Sequence, residues 1–240
     1  MHLPKRIALF VLCCLMAAVT VACRSDEELA MKKASSKVLE EYLAKYYGME
    51  EGTYEADVSE MRSHDPRHVI WFVKSGEETF NVYMDGASGY TEHDVFTDRY
   101  VAEFLAKTDA LAESKIKETG LFEGITFEVK TAYAHIQSVS PTTALPITLV
   151  PEKFDEFIQS MPEVSNYEGF HILIRVFTDA PFTMTRDQIS QLVVLPANTV
   201  TVDHYTGSDP TNPGTFVKRY IYAYDWGNTW EFDEEREEGK

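Results

Sequence analysis

Apolar residues recur at the spacing of an amphipathic helix in two long segments of the chain, residues 27–47 and about 98–119, and a glycine follows each. Two shorter segments have a similar character. Residues 151–158 begin with a proline, and residues 185–192 begin with a threonine that has a glutamine three positions on, the spacing of a capping box. The pattern therefore predicts two main amphipathic helices and short extra helices.

Between these segments the apolar spacing changes to two, which is typical of strands with one buried face. The alternating residues of the first such pair are Val69, Trp71, Val73, Phe80, Val82 and Met84. Residues 75–78 between them have turn chemistry, so we predict a hairpin, with a third strand beside it at 54–61. Further strands are predicted at 125–136, 171–177, 200–202 and 216–226.

Helices and antiparallel strand pairs come in clusters along the chain, which indicates an α+β fold. We expect curved antiparallel sheets packed with the two main helices and the short ones. A helix and sheet unit is predicted at 31–120 and a second α+β unit at 121–232, with one continuous domain as the alternative. The acidic end, residues 233–240, is expected to fray.

The first residues of the chain have the pattern of an export signal. Lys5 and Arg6 precede an apolar run over residues 7–23, small residues stand just before Cys23, and charged residues follow it at once. A positive start, an apolar middle and small residues before the cut are the features of a signal peptide.

The step from Ala22 to Cys23 resembles the lipobox of bacterial lipoproteins, although Thr20 stands where the commonest form has leucine. The resemblance implies cleavage after Ala22 and a diacylglycerol anchor, with palmitate-type chains, on the Cys23 thiol. Residues 1–22 are then the signal peptide and 23–30 the lipidated cysteine with a short tether. The protein is expected at the cell membrane, facing outside the cytoplasm. An uncleaved transmembrane anchor and ordinary secretion after cleavage remain as alternatives.

A second, weaker resemblance lies in the first predicted helix. Its segment 41–48 is similar in texture to small uncharacterised lipoproteins of Gram-positive bacteria. That group brings no catalytic residues to carry over.

The three cysteines and the charge of the chain limit its chemistry. If Cys23 is lipidated and residues 1–22 are removed, no free thiol remains, so a disulfide framework, cysteine-ligated zinc and a cysteine nucleophile are not expected. With 22 basic and 39 acidic residues the formal net charge is −17. An acidic body argues against a nucleic-acid partner and would be repelled by an anionic bilayer surface.

Candidate sites for metals or catalysis are weak in this sequence. Residues 64–68 place two histidines near an aspartate, but a proline and an arginine between them favour a solvated turn. Residues 85–94 carry several oxygen ligands, yet Ala87 and Gly89 stand where an EF-hand loop needs ligands, so a glycine-rich turn is favoured over an irregular cation site. We therefore predict no metal, no cofactor and no catalytic residues.

The strand predicted at 216–226 carries a row of aromatic side chains at alternate positions. They are Tyr220, Tyr222, Tyr224 and Trp226, opposite an apolar face with Val217, Ile221 and Ala223. We treat the row as a candidate binding face for a protein or saccharide partner. In the alternative interpretation the rings pack beneath the second helix or beneath the loop at 138–146.

The sequence thus predicts a membrane-anchored extracytoplasmic lipoprotein with a non-enzymatic binding role. The alternative is an extracytoplasmic hydrolase that acts on cell-envelope polymers or peptides. A cleft that gathers a histidine with carboxylates would favour the hydrolase, and a shallow exposed face would favour binding.

Overall fold

The computed structural model describes residues 5–62, 68–86, 90–135, 144–161, 168–224 and 229–236, with side chains described from residue 26 onward except at 62, 134, 135, 168 and 236. The helices are α1 (Lys5–Tyr47), α2 (Val101–Glu118), α3 (Phe154–Ser160) and α4 (Arg186–Ser190). The strands are β1 (Glu55–Arg62), β2 (His68–Ser75), β3 (Glu78–Asp85), β4 (Val95–Thr97), β5 (Thr126–His135), β6 (Leu145–Pro146), β7 (Glu168–Phe177), β8 (Ala197–Tyr205), β9 (Phe216–Tyr224) and β10 (Trp230–Arg236). These elements confirm the predicted α+β class.

The first sheet has the strand order β1-β2-β3-β4-β6, and its first four strands pair antiparallel. The predicted hairpin is confirmed, with β2 and β3 joined by a turn at Gly76, whose φ is 62°. Helix α1 covers one face of this sheet, where Leu43, Val69 and Val82 are fully buried in one apolar cluster. The indole Nε1 of Trp71 donates a hydrogen bond to Ser35 Oγ at 3.1 Å, which fixes the helix over the strand.

The second sheet has the order β10-β9-β8-β7-β5. Neighbouring strands in this sheet pair antiparallel, except that β7 and β8 are parallel. A parallel pair needs a crossover connection, and the segment that carries α4 supplies it. One face of this sheet packs with residues of α2, α3 and α4 in a single apolar cluster that includes Phe104, Ile158 and Ile189.

The chain divides into two compact units, residues 1–99 with 146–148 and residues 100–145 with 149–240. The predicted division at 31–120 and 121–232 placed α2 in the first unit, but α2 belongs to the second. Its apolar stripe is buried with β5 and β7, because Phe104, Ala112 and Ile116 share a cluster with the inward residues of those strands.

The acidic end differs from the prediction of a frayed tail. Residues 233–236 belong to β10, which pairs along its length with β9. Trp230 and Phe232 of this strand pack against the core of the second unit, and Lys218 of β9 forms an ion pair with Glu234. Alternating apolar residues at the start of β10 therefore anchor a strand whose remaining residues are charged. Residues 237–240 lie outside the described part of the chain.

Helix α4 confirms the capping box predicted at its start. The Thr185 side chain accepts a hydrogen bond from the Gln188 backbone N–H at 3.3 Å, and the Thr185 N–H donates to Gln188 Oε1 at 2.9 Å. The Thr185 N–H lies ahead of the helix, and the Gln188 N–H is shared between the Thr185 hydroxyl and the Thr185 carbonyl, which it meets at 3.1 Å.

Replacing Thr185 with Ala is expected to lower the free energy of unfolding by about 1 kcal/mol, because α4 loses its side-chain cap. Guanidinium unfolding followed by circular dichroism measures the change. Thr185→Ser keeps the hydroxyl and should retain most of the stability. An equal loss in both variants would place the effect in the threonine methyl group and contradict the capping role.

Candidate functional site

The face of the first sheet that points away from α1 is the candidate site, and we call it the outer face. Val69, Trp71 and Val73 of β2 lie beneath α1, so the alternate residues of that strand lie on the other side. The residues that register and alternation place on the outer face are Glu55, Asp57, Glu60 and Arg62 of β1, His68, Ile70, Phe72 and Lys74 of β2, Thr79, Asn81, Tyr83 and Asp85 of β3, and Phe96 of β4.

Apolar side chains cross the middle of the outer face. Ile70 lies in register with Glu60 on one side and Tyr83 on the other, and Phe72 stands two residues further along the same strand. Phe72 is 41% exposed, and among the exposed large apolar side chains of the described residues it is the only aromatic one. Ile70 and Tyr83 are half-buried. The outer face therefore presents an apolar stripe to solvent.

A carboxylate fixes the polar groups beside this stripe. Asp98 accepts hydrogen bonds from the Asn81 backbone N–H at 2.6 Å, from Asn81 Nδ2 at 2.8 Å and from the Tyr83 hydroxyl at 3.2 Å. These bonds hold the Tyr83 ring in one orientation next to Ile70. The sheet and Asp98 therefore fix the positions of these side chains without a bound partner.

His68 lies at one end of the outer face and is 1% exposed. Its Nε2 is 3.4 Å from Glu60 Oε1, and it stands in register with Asp85 of β3. The solvated turn predicted at 64–68 is therefore wrong for His68, which is buried and begins β2. Residues 64–67 lie outside the described part of the chain.

The aromatic row of β9 does not form an exposed face. Tyr220 is 0% exposed and its hydroxyl donates to the Phe182 carbonyl at 3.2 Å, while Tyr222 is 8% exposed and stacks on Trp230 with 4.6 Å between ring centroids. Tyr224 is half-buried and meets Trp230 edge-on. The candidate binding face predicted there is wrong for Tyr220 and Tyr222, which point into the core of the second unit.

The alternative of a covered row is confirmed for Tyr220 and Tyr222, which share one apolar cluster with residues of α2 and which Phe182 and Trp230 contact directly. Residues 138–143 of the loop considered as a cover lie outside the described part of the chain. Trp226, the fourth residue of the predicted face, lies outside the described part of the chain, as do residues 87–89 and the side chain of Cys23.

The opposite face of the second sheet carries a charged row that sequence analysis missed. Register aligns five residues, one from each strand: Glu235, Arg219, Asp203, Arg175 and Glu128. The Arg219 guanidinium binds both oxygens of the buried Asp203 carboxylate, at 2.7 and 2.8 Å, and this bond raises the pKa of Arg219 above its ordinary value. The pair of Arg219 and Asp203 joins β9 to β8, and the row is visible only once the strand order is known.

The loop considered for a cation has its carboxylates engaged in the described segment 90–94. Asp94 accepts from the Thr91 N–H at 2.9 Å and from the Thr91 hydroxyl at 2.7 Å, and Glu92 pairs with Lys45 of α1. Within the described residues no group of three or more His, Cys, Asp or Glu side chains is placed to hold a metal ion.

No helix in the described part of the chain is long and apolar enough to cross a membrane. No family model, no curated protein and no solved structure matches this chain.

Proposed function

We propose that the protein is a membrane-anchored extracytoplasmic lipoprotein that binds a partner through the outer face of its first sheet and performs no catalysis. The observation that carries the binding role is the exposed Phe72 ring beside Ile70 and Tyr83, on a sheet whose other face is already filled by α1. Exposed apolar side chains grouped on one face of a sheet are typical of an interaction surface.

The location rests on the sequence. The charged start, the apolar run over residues 7–23 and Cys23 directly after Ala22 form the export and lipidation pattern. A formal net charge of −17 repels the folded body from anionic headgroups, so a lipid anchor would hold it near the membrane while leaving its faces open to water.

Structural hydrogen bonds occupy several buried or half-buried carboxylates, and this supports a role without catalysis. Asp109 accepts from the Thr131 backbone N–H at 2.5 Å and from its hydroxyl at 2.8 Å, which joins α2 to β5. Asp98 and Asp203 are bound in the same manner within their own units. These acids position strands and helices, and that use accounts for their burial.

The alternative of a hydrolase would draw on His68, since a carboxylate of Glu60 lies 3.4 Å from its ring. Only 1% of His68 is exposed, so the imidazole is screened from a substrate in solvent. A general base must come within hydrogen-bond reach of the proton that it takes. The geometry therefore favours binding over hydrolysis.

Replacing Cys23 with Ser is expected to abolish incorporation of labelled palmitate and to release the protein from membranes or leave it as uncut precursor. Each buried methylene contributes about 0.8 kcal/mol to anchoring, and two acyl chains give stable attachment. Metabolic labelling followed by membrane fractionation measures both effects.

Cys13→Ser and Cys14→Ser are the matched controls, because they remove a thiol from the segment ahead of the predicted cut. Both should keep the label and the membrane location. Continued labelling of the Cys23→Ser variant would end the lipoprotein proposal.

A further inference from the structure

We propose that the outer face of the first sheet binds a cationic, partly apolar segment of another protein. This assignment names the partner class for the binding role proposed above and rests on that role. It combines an apolar stripe, a surrounding excess of carboxylates and an edge strand that is unsuited to adding a further strand.

The apolar stripe has the character of an anchor site. Phe72 and Ile70 are separated by two positions on β2 and therefore project from the same face, and Tyr83 stands directly across from Ile70. An aromatic ring that is 41% exposed can bury a large further area against a partner. A few such side chains at the centre of an interface usually carry most of its binding energy.

Carboxylates surround the stripe on both sides. Those on or beside the outer face are Glu55, Asp57, Glu60, Asp85 and Asp98, whereas the basic residues that register places there in the described part of the chain are Arg62, opposite His68, and Lys74. The side facing β1 is the more exposed, because Glu55, Asp57 and Glu60 are all open to solvent. This rim complements lysine and arginine side chains.

The same charge excludes other occupants. Nucleic acid and anionic lipid would place negative groups against the carboxylates, and so would the outer face of a second copy of this chain. A neutral saccharide could stack on the aromatic rings, but it would form no ion pairs with the surrounding carboxylates. A basic protein segment with some apolar side chains can pack against the stripe and form ion pairs with the carboxylates of the rim.

The edge strand indicates how such a segment would lie. The register between β1 and β2 shifts between Val58 and Glu60, which marks a bulge in β1. A bulge disturbs the regular ladder that an added strand needs. The partner is therefore expected to cross the outer face and not to extend the sheet at β1.

Fluorescence anisotropy tests this inference on the full chain in a neutral, non-ionic detergent, with detergent alone as the blank. The probe is an acetylated, fluorescein-labelled hexapeptide, Lys-Leu-Lys-Phe-Lys-Leu, at about 50 mM salt, where exposed charges are only partly screened. We expect Phe72→Ala to weaken its binding about tenfold or more, as truncation of an interface anchor does. Val217→Ala is the matched control, since Val217 is also 41% exposed but lies on the second sheet, and it should change binding less than about twofold.

Charge variants keep the test valid even if Phe72→Ala disturbs the fold. Asp57→Asn combined with Glu60→Gln is expected to weaken binding and to reduce its dependence on salt, because both carboxylates are exposed on the rim. Glu231→Gln, an exposed acid of β10, should leave binding unchanged.

Several results would overturn the inference. They are equal losses in Phe72→Ala and Val217→Ala, equal losses in the rim and Glu231→Gln variants, or equally tight binding of a peptide with glutamate in place of lysine. Equal binding of a peptide with serine in place of leucine and phenylalanine would show that charge alone is responsible. Phe72-dependent binding to phosphatidylglycerol vesicles would assign the face to a membrane surface instead.

Palmitate labelling separates failure of this inference from failure of the proposed location. If the peptide does not bind but labelling still depends on Cys23, the partner class is wrong while the anchored location stands. If labelling does not depend on Cys23 and the peptide binds with the expected variant pattern, the docking surface stands without the anchor.

Discussion

Replacing Phe104 with Ala is expected to lower the free energy of unfolding by about 3–5 kcal/mol, the range for large-to-small changes at buried aromatic positions. Phe104 is 0% exposed, and its ring contacts four other aromatic rings in the core of the second unit. The rings are Tyr133, Phe154, Phe157 and Phe170, at centroid distances of 6.1, 5.1, 5.9 and 5.9 Å. Alanine would leave a cavity where β5, β7, α2 and α3 meet.

Guanidinium unfolding followed by circular dichroism measures this loss, and amide hydrogen exchange in β5 and β7 assigns it to the second unit. Phe72→Ala is the matched control, since it removes the same side chain from a position that is 41% exposed. Its loss should be smaller, about 1–2 kcal/mol, because part of the ring is already in water. Losses of equal size at both positions would contradict the central place of Phe104 in the core.

Periodic segments of the sequence predicted most of the helices and strands. The hairpin of β2 and β3 has two apolar segments on either side of a turn with glycine, and α2 has a long apolar stripe, so local pattern was sufficient for both. The extra strands β4 and β6 have three and two residues, which is too short for a period to be visible. They form by pairing with other strands, β4 with the preceding strand β3 and β6 with β4, which lies far from it in the chain.

The packing partner of α2 explains the error in domain assignment. Helix α2 follows β4 closely in sequence, but its apolar face is complementary to β5 and β7. The parallel pair of β7 and β8 depends on a crossover through α4, and neither strand carries a local signal for its direction. The row in which Arg219 binds Asp203 likewise becomes visible only when the strand order is known.

The two candidate faces show why alternation alone could not locate the site. Strand β9 has apolar or aromatic residues on both faces, so its sequence does not show which face points into the core. Packing against Phe182 and Trp230 places the tyrosine face there. In β2 the sequence shows Val69, Trp71 and Val73 on one face and Ile70 and Phe72 on the other. Only the position of α1 determines which of these faces is buried beneath the helix.

Replacing Tyr222 and Tyr224 together with Ser is expected to remove about 3–5 kcal/mol of stability, the range seen when large buried side chains are truncated. Tyr222 is 8% exposed and lies nearly parallel to the Trp230 ring, at an interplanar angle of 12°. Tyr224 meets the same indole edge-on at 5.6 Å, so both truncations expose one side of Trp230. Trp230 is also the residue that begins β10, and its loss of packing should loosen the pairing of β10 with β9.

Thermal and guanidinium unfolding of the double variant measure the effect, and hydrogen exchange in β10 shows whether the edge strand opens first. Tyr222→Phe keeps the stacked ring and should be close to the parent protein. Val217→Ser tests the opposite face of the same strand, where the side chain is 41% exposed, and should cost less than about 1 kcal/mol. A near-native melting curve for the double variant would mean that the tyrosine rings face water, as an exposed binding platform requires, and the burial of this row would then be wrong.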